Sequence, residues 1–191
     1  MNTLLPTLLA AAALLAQPAI AQPGGTAVPA PQQATGPAAT TTPPQPMSDR
    51  EFVMAAATSN MFEQTEGQLA LIQAKDENVK TFARRMVDDH GAGMDELRIA
   101  ATVAQIDLPG AVPLAAAQQA KVDALRALHG EAFDRAYLDD QVRAHEQAAT
   151  LLETYVRAGT NPALKSWADK TLAVVRKHQQ HLQALAGQVA R

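Results

Sequence analysis

From Phe52 to Leu185 the apolar residues recur every three or four positions, the period of one face of an α-helix. No stretch alternates β-branched or aromatic side chains with polar ones as a half-buried strand requires. The pattern divides into four long stripes. Phe52, Ala55, Ala56, Ser59, Phe62, Glu66, Leu69 and Ala70 form the first, and Val79, Phe82, Ala83, Met86, His90, Met94 and Leu97 the second. Leu138, Val142, His145, Ala149 and Leu152 form the third, and Leu164, Ala168, Thr171, Val175, His178, Leu182 and Leu185 the fourth. A helix with one apolar stripe must bury it against others, so the chain is expected to be all-α.

The breaks between stripes carry recognisable stop and start chemistry. Ser48 with Glu51 three residues later makes a capping box, and Met47 and Phe52 are placed for a hydrophobic staple. That opens a first helix running to about Lys75. Asp76 can cap a second, to about Gln105, which "DLPGAVP" at 107–113 stops. A short helix from about Leu114 to Leu128 ends near Gly130, a C-terminal stop residue. A long helix follows to Ala158, and Asn161 with Pro162 opens the last, to about Gln188. The first two long helices and the last two have short connections, whereas about 25 residues separate the pairs. The expected architecture is a four-helix bundle with one long crossover containing a short helix.

Every charged side chain and every aromatic residue lies beyond residue 48, which places the folded unit at 48–188. Residues 1–21 carry an apolar run and an Ala19-Ile20-Ala21 pattern, and read as a secretory signal peptide. Residues 22–47, rich in Pro, Ala, Thr and Gln, read as a disordered linker. After signal removal no segment is apolar enough to span a bilayer. The chain has no cysteine, which excludes disulfides, thiolate metal sites and thiol catalysis. Its net charge of -3 and interleaved charges exclude a basic nucleic-acid surface. The expected location is the periplasm or the exterior, with association to the outer membrane open, and the expected partner an envelope protein or a second copy.

Each stripe holds one ionisable residue where its neighbours are apolar: Glu66, His90, His145 and His178. At ~1.5 Å of rise per residue they lie roughly 14, 20, 20 and 24 Å from the nearest tight turn, near the middle of helices ~40 Å long. A buried carboxylate or imidazole is normally paired, neutral or metal-bound. Two readings follow: a polar network fixing bundle register, or a mononuclear site of three imidazoles and one carboxylate suited to zinc, copper or iron(II). A metal-dependent redox or hydrolytic enzyme using the same four residues, and a structural or stress-related envelope module, are the rivals from other classes. His181, three residues after His178, lies at the stripe's edge and is expected to be solvated. Asp88, Asp89 and Glu146 are expected to reach, at most, a histidine of a neighbouring helix. Gly67, mid-helix and worth about 1 kcal/mol less than alanine there, suggests a close approach by another helix or a ligand.

The segments "REFVMAAATSNMFEQTEGQLALIQAKDENVKTFARRMVDDH", "GEAFDRAYLDDQVRAHEQ" and "TLAVVRKHQQHLQAL" resemble the DUF4142 family of exported bacterial proteins, over residues 48–187. The resemblance implies a ferritin-like bundle and carries over Glu66, Asp89, His90, His145 and His178. It implies an outer-membrane label but no established biochemical role. Di-iron members of the ferritin-like class use Glu-x-x-His pairs. Here Val87 and Val175 stand three residues before His90 and His178, so ferroxidase chemistry is not expected.

Overall fold

The computed structural model describes residues 47–189, among which there are five α-helices and no strand. They are α1 (Asp49–Gln73), α2 (Glu77–Val103), α3 (Ala116–Arg126), α4 (Gly130–Ala158) and α5 (Pro162–Val189). The expected signal peptide, and the expected linker up to residue 46, lie outside the described residues. No described helix is long and apolar enough to cross a membrane.

Local sequence accounts for the helix ends. Ser48 Oγ accepts from Glu51 N while Glu51 Oε2 accepts from Ser48 N at 2.9 Å, closing the capping box. Asp76 accepts from Asn78 N at 2.7 Å at the start of α2. Asn161 accepts from the Ala163 and Leu164 amides at the start of α5, with Pro162 at the first helical position. Gly130 behaves differently from expectation. Its φ of +60° breaks the path between α3 and α4, yet it is the first residue of α4 and not the end of α3.

The four long helices form a bundle in which α1 packs on α2 and α4, and α5 packs on α2 and α4. α3 lies in the crossover and packs against α1 and α4. Asp134, near the start of α4, accepts from the Lys75 and Asp76 amides at 2.9 Å, pinning α4's first turns to the α1–α2 turn. At the other end Tyr155 donates to Asp49 and stacks on Phe52, with ring centroids 3.7 Å apart. The crossover therefore spans the bundle's length, as the 25-residue separation predicted.

Most of the core is two apolar halves with a polar layer between them, and a small third cluster of Phe62, Val122 and Ala144 joins α3 to α1 and α4. One half holds Phe52, Ala56, Ala57, Met94, Leu97, Ala148, Leu152, Trp167 and Val175. The other holds Ala70, Phe82, Met86, Phe133, Tyr137, Leu138, Leu182 and Leu185. Along each long helix the change from one half to the other falls at buried polar residues. These are Asn60, Glu63 and Glu66 on α1, His90 on α2, Gln141 and His145 on α4, and His178 on α5.

Gly67 lies where α1 and α2 approach most tightly. A Cβ there would sit 3.0 Å from Val87 Cγ2 and 3.2 Å from the Ala83 carbonyl oxygen, which accounts for the mid-helix glycine.

Candidate metal centre

The helices bring His90, His145 and His178 together from α2, α4 and α5. Their ring centroids are 5.7, 5.5 and 5.3 Å apart, and one ring nitrogen of each lies within 4.8 Å of the others. All three are buried. Each ring is held from behind by an oxygen. Asn60 commits its amide nitrogen to the Ala56 carbonyl at 3.1 Å, so its Oδ1 faces His90 Nδ1 at 2.8 Å and accepts from it. His145 Nδ1 donates to the Gln141 carbonyl, one turn back on α4, at 2.8 Å. His178 Nε2 donates to Asp89 Oδ2 at 2.9 Å, across the α2–α5 interface.

These three bonds choose the tautomers. With its outer nitrogen donating, each neutral ring keeps a lone pair on the other: His90 Nε2, His145 Nε2 and His178 Nδ1. His145 Nε2 and His178 Nδ1 face one another at 3.2 Å. His90 Nε2 is buried without a hydrogen-bond partner. Burial is the first cause holding the rings neutral. It puts His90 well below the usual imidazole range and His145 down to about 4, with the neighbouring histidines adding to both shifts. Burial lowers His178 as well, opposed by Asp89, which favours the charged form.

The carboxylate at the cluster belongs to Glu63, not Glu66. Glu63 Oε2 lies 3.3 Å from His90 Nδ1 and Oε1 lies 3.3 Å from His145 Nδ1, so one side chain spans the outer nitrogens of two rings. Burial pushes Glu63 up to about 8, with Ser59 opposing and Glu66 adding to the rise. Glu66 is buried as expected, but it turns toward Gln141, whose Nε2 donates to Glu66 Oε2 at 2.9 Å. Burial pushes Glu66 up to about 8 as well, against the amide's pull. Beside it, Glu66 Oε1, Gln141 Oε1 and the Tyr137 hydroxyl are buried and unpartnered.

The sequence expectation for the remaining polar residues divides. Asp89 reaches the histidine of a neighbouring helix. His181 stays at the edge, half-buried, with its ring edge-on to Phe82 at 5.2 Å. His129 is exposed and takes the N-cap position of α4 without a side-chain cap bond. Asn60, Glu63 and Gln141 were not anticipated. Asn60 and Glu63 continue the buried line Phe52, Ala56, Asn60, Glu63, Gly67, Ala70, whose steps of three and four are as helical as those of the stripe read from the sequence.

Fold and site define the class: an all-α bundle with three buried imidazoles between two apolar half-cores. The chain belongs to the DUF4142 family, a domain of unknown function whose model matches residues 31–185. Among solved structures it is similar to a DUF305 protein from Streptomyces coelicolor, with TM-score 0.65 and 13% identity over 76% of this chain and 95% of that one. A DUF305 fragment from Deinococcus radiodurans is similar at TM-score 0.64 and 15% identity, covering 75% of this chain and 99% of that one. CopM in its Cu(I)-bound form is similar at TM-score 0.61 and 15% identity, covering 74% and 96%. No curated protein matches the chain.

Proposed function

We propose that the chain is an exported bundle that binds a single transition-metal ion through His90, His145 and His178, with Asn60, the Gln141 carbonyl, Asp89 and Glu63 orienting the rings. The observation that carries this reading is the facing pair His145 Nε2 and His178 Nδ1 at 3.2 Å, each with its other nitrogen committed to an oxygen. Two lone pairs at that separation repel unless a cation lies between them. Nitrogens bound at ~2.0–2.1 Å around a tetrahedral metal stand ~3.3 Å apart, close to the separation found. An oxygen behind each ligating imidazole is the usual supporting arrangement at metal sites.

Copper is the first ion to test, because a bundle of this fold, CopM, has a Cu(I)-bound form. Zinc and iron(II) are the other ions this donor set suits. Binding rather than turnover is the role favoured, since the three rings are buried between two apolar half-cores. Export rests on the signal-like residues 1–21, and the periplasm is the compartment proposed.

Metal analysis of protein purified without a His tag tests the reading, after exposure to Cu(I) and separately to Zn(II). The expected result is stoichiometric metal in the parent, lost in His90→Ala and His145→Ala. A parent that retains no ion, with those variants merely less stable, makes the layer a register-fixing polar network and overturns the proposal.

A further inference from the structure

A groove of about 230 Å³ runs between α2 and α5, and one of the three histidines lines it. His90 lines it directly, and so does Asp89, whose carboxylate holds His178. A smaller cavity of about 20 Å³, room for roughly one water, adjoins it and is lined by Glu63 and Trp167 among others. Asn60, His90, Thr171 and Val175 line both spaces and form the partition between them.

Small residues keep the groove open. Ala92 and Gly93 form part of its α2 side. The glycine is not demanded by packing, since a Cβ at Gly93 would meet only Asn60 Oδ1, at an ordinary 3.6 Å. Nor is it demanded by backbone conformation, because its φ is not positive. An alanine or leucine would improve the helix by up to about 1 kcal/mol, so the missing side chain is better explained by the space it leaves. The backbone beside that space is fixed, with Gly93's carbonyl accepting from Trp167 Nε1 at 3.1 Å. Glu96 and Lys170 line the groove together with Asp89, giving two carboxylates against one ammonium, a balance that favours an entering cation.

We infer that the α2–α5 groove is the path by which the metal ion reaches the imidazoles, with Asp89 the first carboxylate near the rings and His90 the first ligand. The inference rests on the proposed binding function. On this path the ion passes Glu96 and Asp89, is taken by His90 at the partition, and is then shared with His145 and His178. Without the groove, the ion would wait for a local opening of the bundle.

Stopped-flow loading with Cu(I) or Zn(II), read by the fluorescence of Trp167, the chain's one tryptophan, tests the path. Gly93→Leu fills the groove from α2 and Val174→Phe from α5. Gly91→Leu makes the same exchange on α2 at a position with nothing within 4 Å and outside the groove. Both filling variants are expected to slow loading by roughly tenfold or more, about 1.4 kcal/mol on the barrier, with the final metal content unchanged. Gly91→Leu is expected to load at the parent's rate. Filled variants that load as fast as the parent, or a Gly91→Leu slowed as much as they are, would overturn the path while leaving the site intact. A parent that takes up no metal overturns the site itself, and the path with it.

Discussion

Replacing Glu66 by glutamine should stabilise the metal-free protein, and the gain should depend on pH in a way that identifies its cause. Glu66 is fully buried, and its carboxyl is pushed up to about 8 from 4.5, chiefly by burial. Between those values the folded chain keeps a proton that the unfolded chain has released. Stability is therefore greatest below about pH 4.5 and falls as pH rises toward 8, by about 1.4 kcal/mol per unit. At pH 7.5 the accumulated loss is on the order of 4 kcal/mol. Glutamine cannot ionise and so does not incur it. It also keeps the local bonding, because its oxygen can accept from Gln141 Nε2 as Glu66 does, while its nitrogen supplies a donor beside the unpartnered Gln141 Oε1. Urea unfolding followed by circular dichroism, with chelator present, should give nearly equal stabilities at pH 4.5 and a variant more stable by several kcal/mol at pH 7.5. Glu63, raised for the same reason, is present in both proteins and cancels in the difference to first order. A gap that does not change with pH, or a variant less stable at pH 7.5, would mean that Glu66 is ionised in the fold. Loss of bound metal in Glu66→Gln would return Glu66 to the ligand set from which the geometry separates it.

Three further outcomes are expected. Asp89→Ala, which removes the acceptor from His178 Nε2 at a half-open surface position, should weaken metal binding by about 10–100-fold with little effect on apo stability; equilibrium competition against a chelator measures this. Gly91→Ala should raise stability by up to about 1 kcal/mol, whereas Gly67→Ala should lower it, since the new Cβ would press on Val87 and the Ala83 carbonyl; paired thermal melts compare them. Gly159→Ala should cost about 1–3 kcal/mol by denaturant titration, because its Cβ would stand 2.6 Å from the Tyr155 carbonyl oxygen and 2.7 Å from the ring that stacks on Phe52.

What could be read from the sequence depended on how sharply each helix separates its faces. In α2 the apolar and charged residues part cleanly, and every residue assigned to its stripe is buried. The α4 and α5 stripes hold almost as well, with Val142 and Thr171 half-buried. α1 is the exception. Phe52 and Val53 are both buried, and Ala55, Ala56 and Ala57 follow in succession, so small side chains give little indication of which way the helix faces. The inward direction lies slightly round from the one read, burying Asn60 and Glu63 and leaving Ser59 half-buried. That small rotation is enough to put Glu63 rather than Glu66 beside the imidazoles. Axial height was legible because rise per residue is fixed; rotation was not, because it is set by packing against three other helices. The oxygens behind the rings were less legible still. Asn60 and Asp89 act on histidines that follow them by 30 and 89 residues, and no periodicity within one helix encodes such a pairing.

The distribution of satisfied and unsatisfied atoms separates the two uses to which a buried polar layer can be put. A network that only fixes register gains by pairing every polar atom, because each orphan costs about 1–3 kcal/mol. Here the outward nitrogens are all paired, and one of them draws on a side chain, Asn60, whose amide orientation is itself fixed by a second bond. The inward side is different: His90 Nε2 has no partner, and the closest approach between rings sets one lone pair against another. Leaving the inward nitrogen of His90 buried without a partner is wasteful for a register device, which gains nothing from an unused lone pair. It is the arrangement expected of a binding centre, where the inner lone pairs are kept for a cation. Substituting His90 by leucine distinguishes the two. A folded bundle that has lost its metal follows from the binding role, and a bundle that loses its fold follows from the register role.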